Sequence, residues 1–183
     1  MSNLSYMLFG VTLMTADGME AGLAHMVFHG LMKTILFFCA GAVLTQTGRT
    51  QVRQLRGLGR KMPFTFFCFT LAGVSLLGVP PLGGFVSKYA LVSAAFAEGG
   101  ALPVIGAVSL LLAAVLTAVY VFTIAYPAFF MAYKPGDQEE LPRDPGLCMK
   151  GSLLILSLLL ILASVFAGPI MVYLEEVAGG VIG

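Results

Sequence analysis

The sequence predicts an all-α polytopic membrane helix bundle of about five membrane segments, one of them a discontinuous helix. Three observations carry this prediction. The chain is 58% apolar and only 10% charged, with a mean hydropathy of +0.95, whereas about a quarter of the residues in a soluble domain are charged. Its charges are segregated: apart from Lys33 and Lys88, every Lys and Arg falls in one of two stretches. Arg49, Arg53, Arg56, Arg60 and Lys61 lie in the first, and Lys134, Arg143 and Lys150 in the second. Finally, the apolar run from Phe64 to Ala97 is interrupted near its centre by GVPPLGG. Residues 1–183 read as a single membrane domain, with no soluble domain and no repeat of roughly 20 to 50 residues.

Residues 2–16 (SNLSYMLFGVTLMTA) form the first apolar segment. At 1.5 Å per residue it is about 22 Å long, short for a hydrocarbon core of ~30 Å, and it reads as the remainder of a longer segment. Asp17 and Gly18 are expected to end it with turn chemistry. Neither a basic leader nor a small-residue cleavage site marks a cleavable signal peptide.

The second segment, 21–47, contains no carboxylate and three side chains able to carry positive charge: His25, His29 and Lys33. Their i, i+4, i+8 spacing advances by about 40° per step, so all three share one helix face within roughly 80°. The helix is about 40 Å long and places Lys33 near mid-depth. Its stem of about 6 Å cannot carry the ammonium across the roughly 15 Å to the interface, which disfavours simple snorkelling. Ionisable groups at such depth mark ion or proton paths. Each histidine alone reads equally well as a hydrogen-bonded packing residue. Stacked on the face of Lys33, they favour a relay, because imidazole accepts and donates protons near neutral pH.

After the basic loop 48–62, Pro63 is suited to a first helical turn. The run 64–97 would span about 51 Å if unbroken, too long for one crossing and too short for two. Two prolines and three glycines over 78–84 break it, the interruption being centred on 79–84. Non-helical backbone at membrane depth survives only where protein or water satisfies it, so the break should line a polar cavity. Lys88 falls within the first turn or so of the second half-helix, where unpaired N–H groups add positive potential, and a lysine so placed is suited to exchange a proton. The competing structural role for Lys88 is to pair with carbonyls exposed at the break.

A further segment, 103–131, carries Pro127 as a kink and ends in the aromatic AFFMAY. The polar loop 133–150 and a last crossing over 151–174, closed by Glu175 and Glu176, complete the chain. With basic residues confined to 48–62 and 133–150, the positive-inside rule places both loops in the cytoplasm and the C-terminus outside, in the cell (cytoplasmic or inner) membrane. Topology thereby accounts for the arginine-rich loop, which could otherwise be read as a nucleic-acid or anionic-lipid patch. Cys39, Cys68 and Cys148 lack metal-ligand spacing and read as ordinary small apolar residues, and Gly57-Leu58-Gly59 is no phosphate loop. No cofactor, metal site or bond chemistry of its own is expected.

Every Asp and Glu lies outside the apolar runs, so Lys33 and Lys88 have no intramembrane counter-charge from this chain. A buried unpaired cation costs several kcal/mol. The chain therefore needs carboxylates from a neighbour or from a further part of itself, or must keep these lysines largely neutral.

At this point the residues resemble a known family: the antiporter-like membrane subunits shared by respiratory complex I, membrane-bound hydrogenases and multi-subunit (Mrp-type) sodium/proton antiporters. The resemblance rests on His25-x3-His29-x3-Lys33 within HMVFHGLMKTILFFCAGAV, on LRGLGRKMP, and on GVPPLGGFVSK ending in Lys88, covering roughly residues 4–130. It implies a fold of about fourteen helices built from two inverted five-helix repeats, each with a broken helix, of which this chain supplies the second half. Lys33 is then similar in position to the central-channel lysine, Lys88 to the lysine of the second broken helix, and His25 and His29 to the histidines between the half-channels. The family's first repeat, with its paired glutamate and lysine, is not in this sequence. The PP-x-GGF-x-SK form is closer to the Mrp-type and hydrogenase-linked members.

Three functions follow from this reading. The first is a proton-translocating subunit, with or without sodium coupling, of a larger complex such as an NADH dehydrogenase-like or hydrogenase-linked translocase or a cation/proton antiporter. Its partners would be lipid and other membrane subunits, one of them supplying the first repeat or the carboxylates. The second is a structural module completing a partner's helix bundle. The third is a membrane partner in bicarbonate or CO2 uptake.

Overall fold

A computed structural model describes residues 2–132 and 143–182. Seven α-helices follow one another there: α1 (Ser2–Thr12), α2 (Ala16–Thr47), α3 (Pro63–Leu77), α4 (Gly83–Glu98), α5 (Ala101–Phe130), α6 (Leu147–Val165) and α7 (Ala167–Ile182). Two 3-10 turns, Val52–Leu55 and Leu58–Arg60, connect α2 to α3, and no strand occurs among the described residues. Helices α2, α5 and α6 are each long and apolar enough to cross a membrane. Helices α3 and α4 are the two halves of the interrupted run. The predicted class, an all-α membrane bundle with one broken helix, is the fold observed.

Helix α2 packs against α1, α3, α4, α6 and α7. Its buried stripe, Phe28, Met32, Ile35 and Cys39, recurs every three or four residues and meets Cys68, Ala72 and Leu76 of α3 and Leu153 and Leu160 of α6. Lipid offers no hydrophobic gain for helix association, so close approach through small residues matters more. Helices α1 and α2 meet in this way: a Cβ at Gly22 would stand 3.0 Å from the Met7 carbonyl oxygen, and one at Gly10 2.9 Å from Gly22 Cα. This contact holds Tyr6, which is buried, over α2.

The junction between these helices differs from the expected turn. Helix α1 stops at Thr12, and Thr15 caps α2, its side chain accepting from the Gly18 N–H at 3.1 Å. Asp17 and Gly18 therefore open α2 rather than close α1, with Asp17 in the first turn, where a negative charge complements the helix dipole.

Both ends of α3 are fastened by side chains from elsewhere. Pro63 occupies the opening turn as expected. The Asp144 carboxylate, from the stretch leading into α6, accepts from the Phe64 N–H at 3.3 Å, the Thr65 N–H at 3.1 Å and the Thr65 hydroxyl at 3.0 Å. At the other end Gly78 takes the left-handed φ of +88° that favours glycine. Its N–H donates to Ser75 O at 3.0 Å, and the Val79 N–H donates to Val74 O at 3.4 Å.

Across the break, α4 begins at the glycine pair. A methyl at Gly84 would collide with the Ser75 carbonyl, and one at Gly83 with the Phe28 ring, so this pair lets α4 lie directly on α3 and α2. The Gly83 N–H is taken by Ser164 Oγ of α6 at 2.8 Å.

The last apolar run forms two helices rather than one crossing over 151–174. Helix α6 starts earlier, at Leu147, and gives way at Phe166 to α7. Pro169 explains the interruption, since it lacks an N–H and its ring would crowd the carbonyl four residues back. Glu175 and Glu176 then sit exposed within α7 while Ala178 is buried.

Apart from Lys33 and Lys88, the described charged residues separate to the two ends of the bundle. Asp17 and Glu20 line a cavity with Ser93, Ala97 and Met171 at one end. At the other, the basic loop docks on the end of α5, where the Gly57 N–H donates to Pro127 O at 3.0 Å and Arg60 Nε to Phe129 O at 3.0 Å. The part of the second basic loop that holds Lys134, residues 133–142, lies outside the described residues.

Candidate functional site

The polar stripe of α2 meets α4 at His25. His25 is wholly buried, and its Nδ1 lies 3.0 Å from Ser87 Oγ of α4. One turn further along, the His29 ring stacks on His25, with centroids 5.8 Å apart and planes 23° apart. The ring of Tyr6 also meets His25, at 5.4 Å between centroids and with planes 63° apart. Lys33 continues the same face a turn beyond His29 and is half-buried. The helical spacing thus brings the two histidines into direct contact, with Lys33 next in line.

Lys88 is 7% exposed and extends back toward the break, its Nζ donating to Leu76 O at 2.7 Å and to Leu77 O at 3.1 Å. Together with Gly78 and Val79 it completes the last turn of α3: the carbonyls of Val74, Ser75, Leu76 and Leu77 all receive a donor. This is the carbonyl-pairing geometry that competed with a proton-exchange role in the sequence. The two roles are compatible. An ammonium carries three hydrogens, of which two are engaged here, so the third can be exchanged while a neutral amine keeps two donors for the same two carbonyls. The ammonium also stands 5.9 Å from the centroid of Tyr6, so that one ring touches both His25 and Lys88.

Two features mark this seam as polar inside an apolar bundle. His25 Nε2, His29 Nε2 and Ser75 Oγ are buried without a hydrogen-bond partner among the described residues. Buried polar atoms are normally satisfied by protein or ordered water, so three such atoms together set this seam apart from the apolar packing around it. In addition, a cavity of about 720 Å³ opens beside the break between α3, α4 and α5, with Lys88, Gly78 and Val79 in its wall. Its remaining walls are mainly apolar, Leu77, Phe85 and Leu110 among them, so the cavity at the break is not the polar one that the sequence predicted; Lys88 is the charged group in its wall.

Sequence reasoning missed Tyr6, Ser87 and Asp144. Ser87 had a signal, being the neighbour of Lys88 inside FVSK. Tyr6 carried only the weak signal of a tyrosine in a short apolar helix. Asp144 carried none, because its cap joins residues 79 or 80 positions apart.

A membrane bundle built on a helix with two histidines and a lysine on one face, packed against a broken helix fastened by a second lysine, defines the antiporter-like class of transmembrane subunits. Residues 1–116 match the family described as "NADH:quinone oxidoreductase/Mrp antiporter, TM", and the chain belongs to that family. It is 34% identical over 146 residues to a subunit (type N) of the NADH-quinone oxidoreductase of Desulforudis audaxviator, a match covering 79% of this chain and 28% of that protein. It is 30% identical over 177 residues to a subunit of the Na(+)/H(+) antiporter of Bacillus subtilis, covering 93% of this chain and 34% of the relative. The chain therefore spans about a third or less of these curated relatives. A solved structure of the Mrp complex from Dietzia sp. DQ12-45-1b shares the fold, with a TM-score of 0.84 at 24% identity over 97% of this chain and 40% of the matched chain.

Proposed function

We propose that this antiporter-like chain carries protons across the membrane as part of a multi-subunit complex, through a relay of Lys33, His29, His25 and Lys88. The observation that carries this reading is the histidine pair: two stacked imidazoles, His25 buried and His29 half-buried, each with a buried and unpartnered Nε2, lie between Lys33 and the lysine that closes the broken helix. An imidazole can take a proton at one nitrogen and release one from the other, which suits it to the interior of such a path. The two relatives, an NADH-quinone oxidoreductase chain and a sodium/proton antiporter chain, are both named as subunits, which supports membrane partners for this chain too.

The test is proton movement by the complex assembled in sealed vesicles. With His25 and His29 both replaced by Gln, acidification or alkalinisation of the lumen should fall at least about tenfold, while assembly is retained. An unchanged rate would remove the histidines from the path. The structural-module reading has one observation in its favour, the capping of α3 by Lys88, and it predicts that same unchanged rate.

The separation of charged ends supports an orientation with the basic loop in the cytoplasm and the C-terminus outside. Single cysteines introduced between Arg49 and Lys61 should react with impermeant reagents only from the cytoplasmic side, and those at Glu98 or Glu176 only from outside. Labelling of the basic loop from outside would reverse the orientation.

A further inference from the structure

We propose that Ser87 is a positioning residue that determines which ring nitrogen of His25 carries its proton at rest. The inference rests on the relay reading only for the importance of His25, not for the geometry. Ser87 is wholly buried on α4 and has two polar neighbours: His25 Nδ1 at 3.0 Å and, one turn back on its own helix, the Gly84 carbonyl oxygen at 3.4 Å.

A helical serine commonly donates to a carbonyl three or four residues back. Here that contact is the longer of the two, so His25 is the nearer partner and the direction of its bond matters. The hydroxyl holds one hydrogen and can point it either way. If it donates to Gly84 O, it is left to accept from His25, which requires the proton on Nδ1 and leaves Nε2 bare. If it donates to His25 Nδ1, Nδ1 must be bare, the proton sits on Nε2, and the Gly84 contact is given up.

The first arrangement makes both bonds and the second makes one. In a dry interior, where an unmade bond is not replaced by water, the first is preferred. His25 therefore rests with Nδ1 protonated and with Nε2, which has no partner among the described residues, as a proton acceptor beside His29. Exchange of the acceptor form for the donor form takes one proton delivered to Nε2 and one withdrawn from Nδ1, with rotation of the Ser87 hydroxyl, and moves neither helix. Because Ser87 belongs to α4, this bond joins the broken helix directly to the histidine pair.

The backbone supports the assignment. Gly84 is packed so closely on Ser75 of α3 that no side chain fits, and Ser75 O in turn receives the Gly78 N–H. The carbonyl that competes for the Ser87 hydrogen is thus held in place by the break itself. A shift of α4 against α2 would leave the Gly84 contact, which lies within α4, and would alter the Ser87–His25 contact and with it the resting form of His25.

The chain has two histidines, which makes a direct reading practical. The experiment is 15N nuclear magnetic resonance of this chain, labelled only at histidine and assembled with unlabelled partners in lipid bilayers. His25 is assigned by the signals lost in His25→Gln. The native protein should show a protonated Nδ1 and a bare Nε2 at His25. Ser87→Ala should invert that pattern, and Ser87→Thr, which keeps a hydroxyl, should restore it. A native His25 protonated on Nε2, or a Ser87→Ala pattern identical to the native one, would overturn the proposal. The native measurement alone is decisive if a variant fails to assemble. Proton transport by the same samples is scored separately: an inverted tautomer with undiminished transport would uphold the Ser87 assignment and remove His25 from the relay.

Discussion

Replacing Lys33 by alanine should abolish proton movement by the assembled complex while leaving the chain inserted and folded. Lys33 stands half-buried at the end of the histidine stripe and, unlike Lys88, closes no helix end among the described residues. Its loss therefore leaves no carbonyl unpaired. Removing a charge from an apolar helix if anything favours its insertion into a membrane, by up to about 3 kcal/mol on insertion scales. The expected result is transport at the level of passive leak with thermal stability at or above that of the native complex. Lys33→Arg should be equally silent, because a guanidinium stays charged at any accessible pH and cannot pass a proton on. Native transport rates in reconstituted vesicles carrying Lys33→Ala would end the central assignment.

Lys88 should respond differently, since its side chain has two duties. In Lys88→Met the carbonyls of Leu76 and Leu77 lose their donor in a buried place, at about 1–3 kcal/mol each. Both transport and the stability of the complex should fall, the midpoint of thermal unfolding dropping by several degrees. Lys88→Arg keeps donors for the two carbonyls but not an exchangeable proton. It should recover most of the stability and none of the transport. The pair of variants separates the roles: equal stability of Lys88→Met and native protein would remove the cap, and full transport by Lys88→Arg would remove the proton exchange.

Much of this architecture is legible in the residues alone. The four-residue spacing of His25, His29 and Lys33 is a property of one helix, and periodicity by itself places them on one face. The break is equally local, because no arrangement of Gly78, Pro80, Pro81, Gly83 and Gly84 continues a helix. What cannot be read there depends on which residues meet across the bundle. The contact of His25 with Ser87 spans 62 positions, and that of Tyr6 with His25 depends on how closely Gly10 and Gly22 allow two helices to approach. Local signals also compete. Asp17-Gly18 resembles a turn, but Thr15 just before it supplies the better helix cap. Pro169 is outweighed by the apolar length around it, although its missing donor ends α6 and starts α7.

Helix α3 is held at its first turn by the carboxylate of Asp144 and at its last by the ammonium of Lys88, each on the end of the helix dipole that attracts it. The two clamps are about 22 Å apart, and they belong to segments that follow it in the chain: one leads into α6, the other lies in the opening turns of α4. Such an arrangement makes α3 a balance beam. By linkage, if the seating of Asp144 changes the proton affinity of Lys88, a proton gained or lost at Lys88 changes the seating of Asp144 by the same free energy. A coupling measured at either end of α3 would then give the coupling at the other.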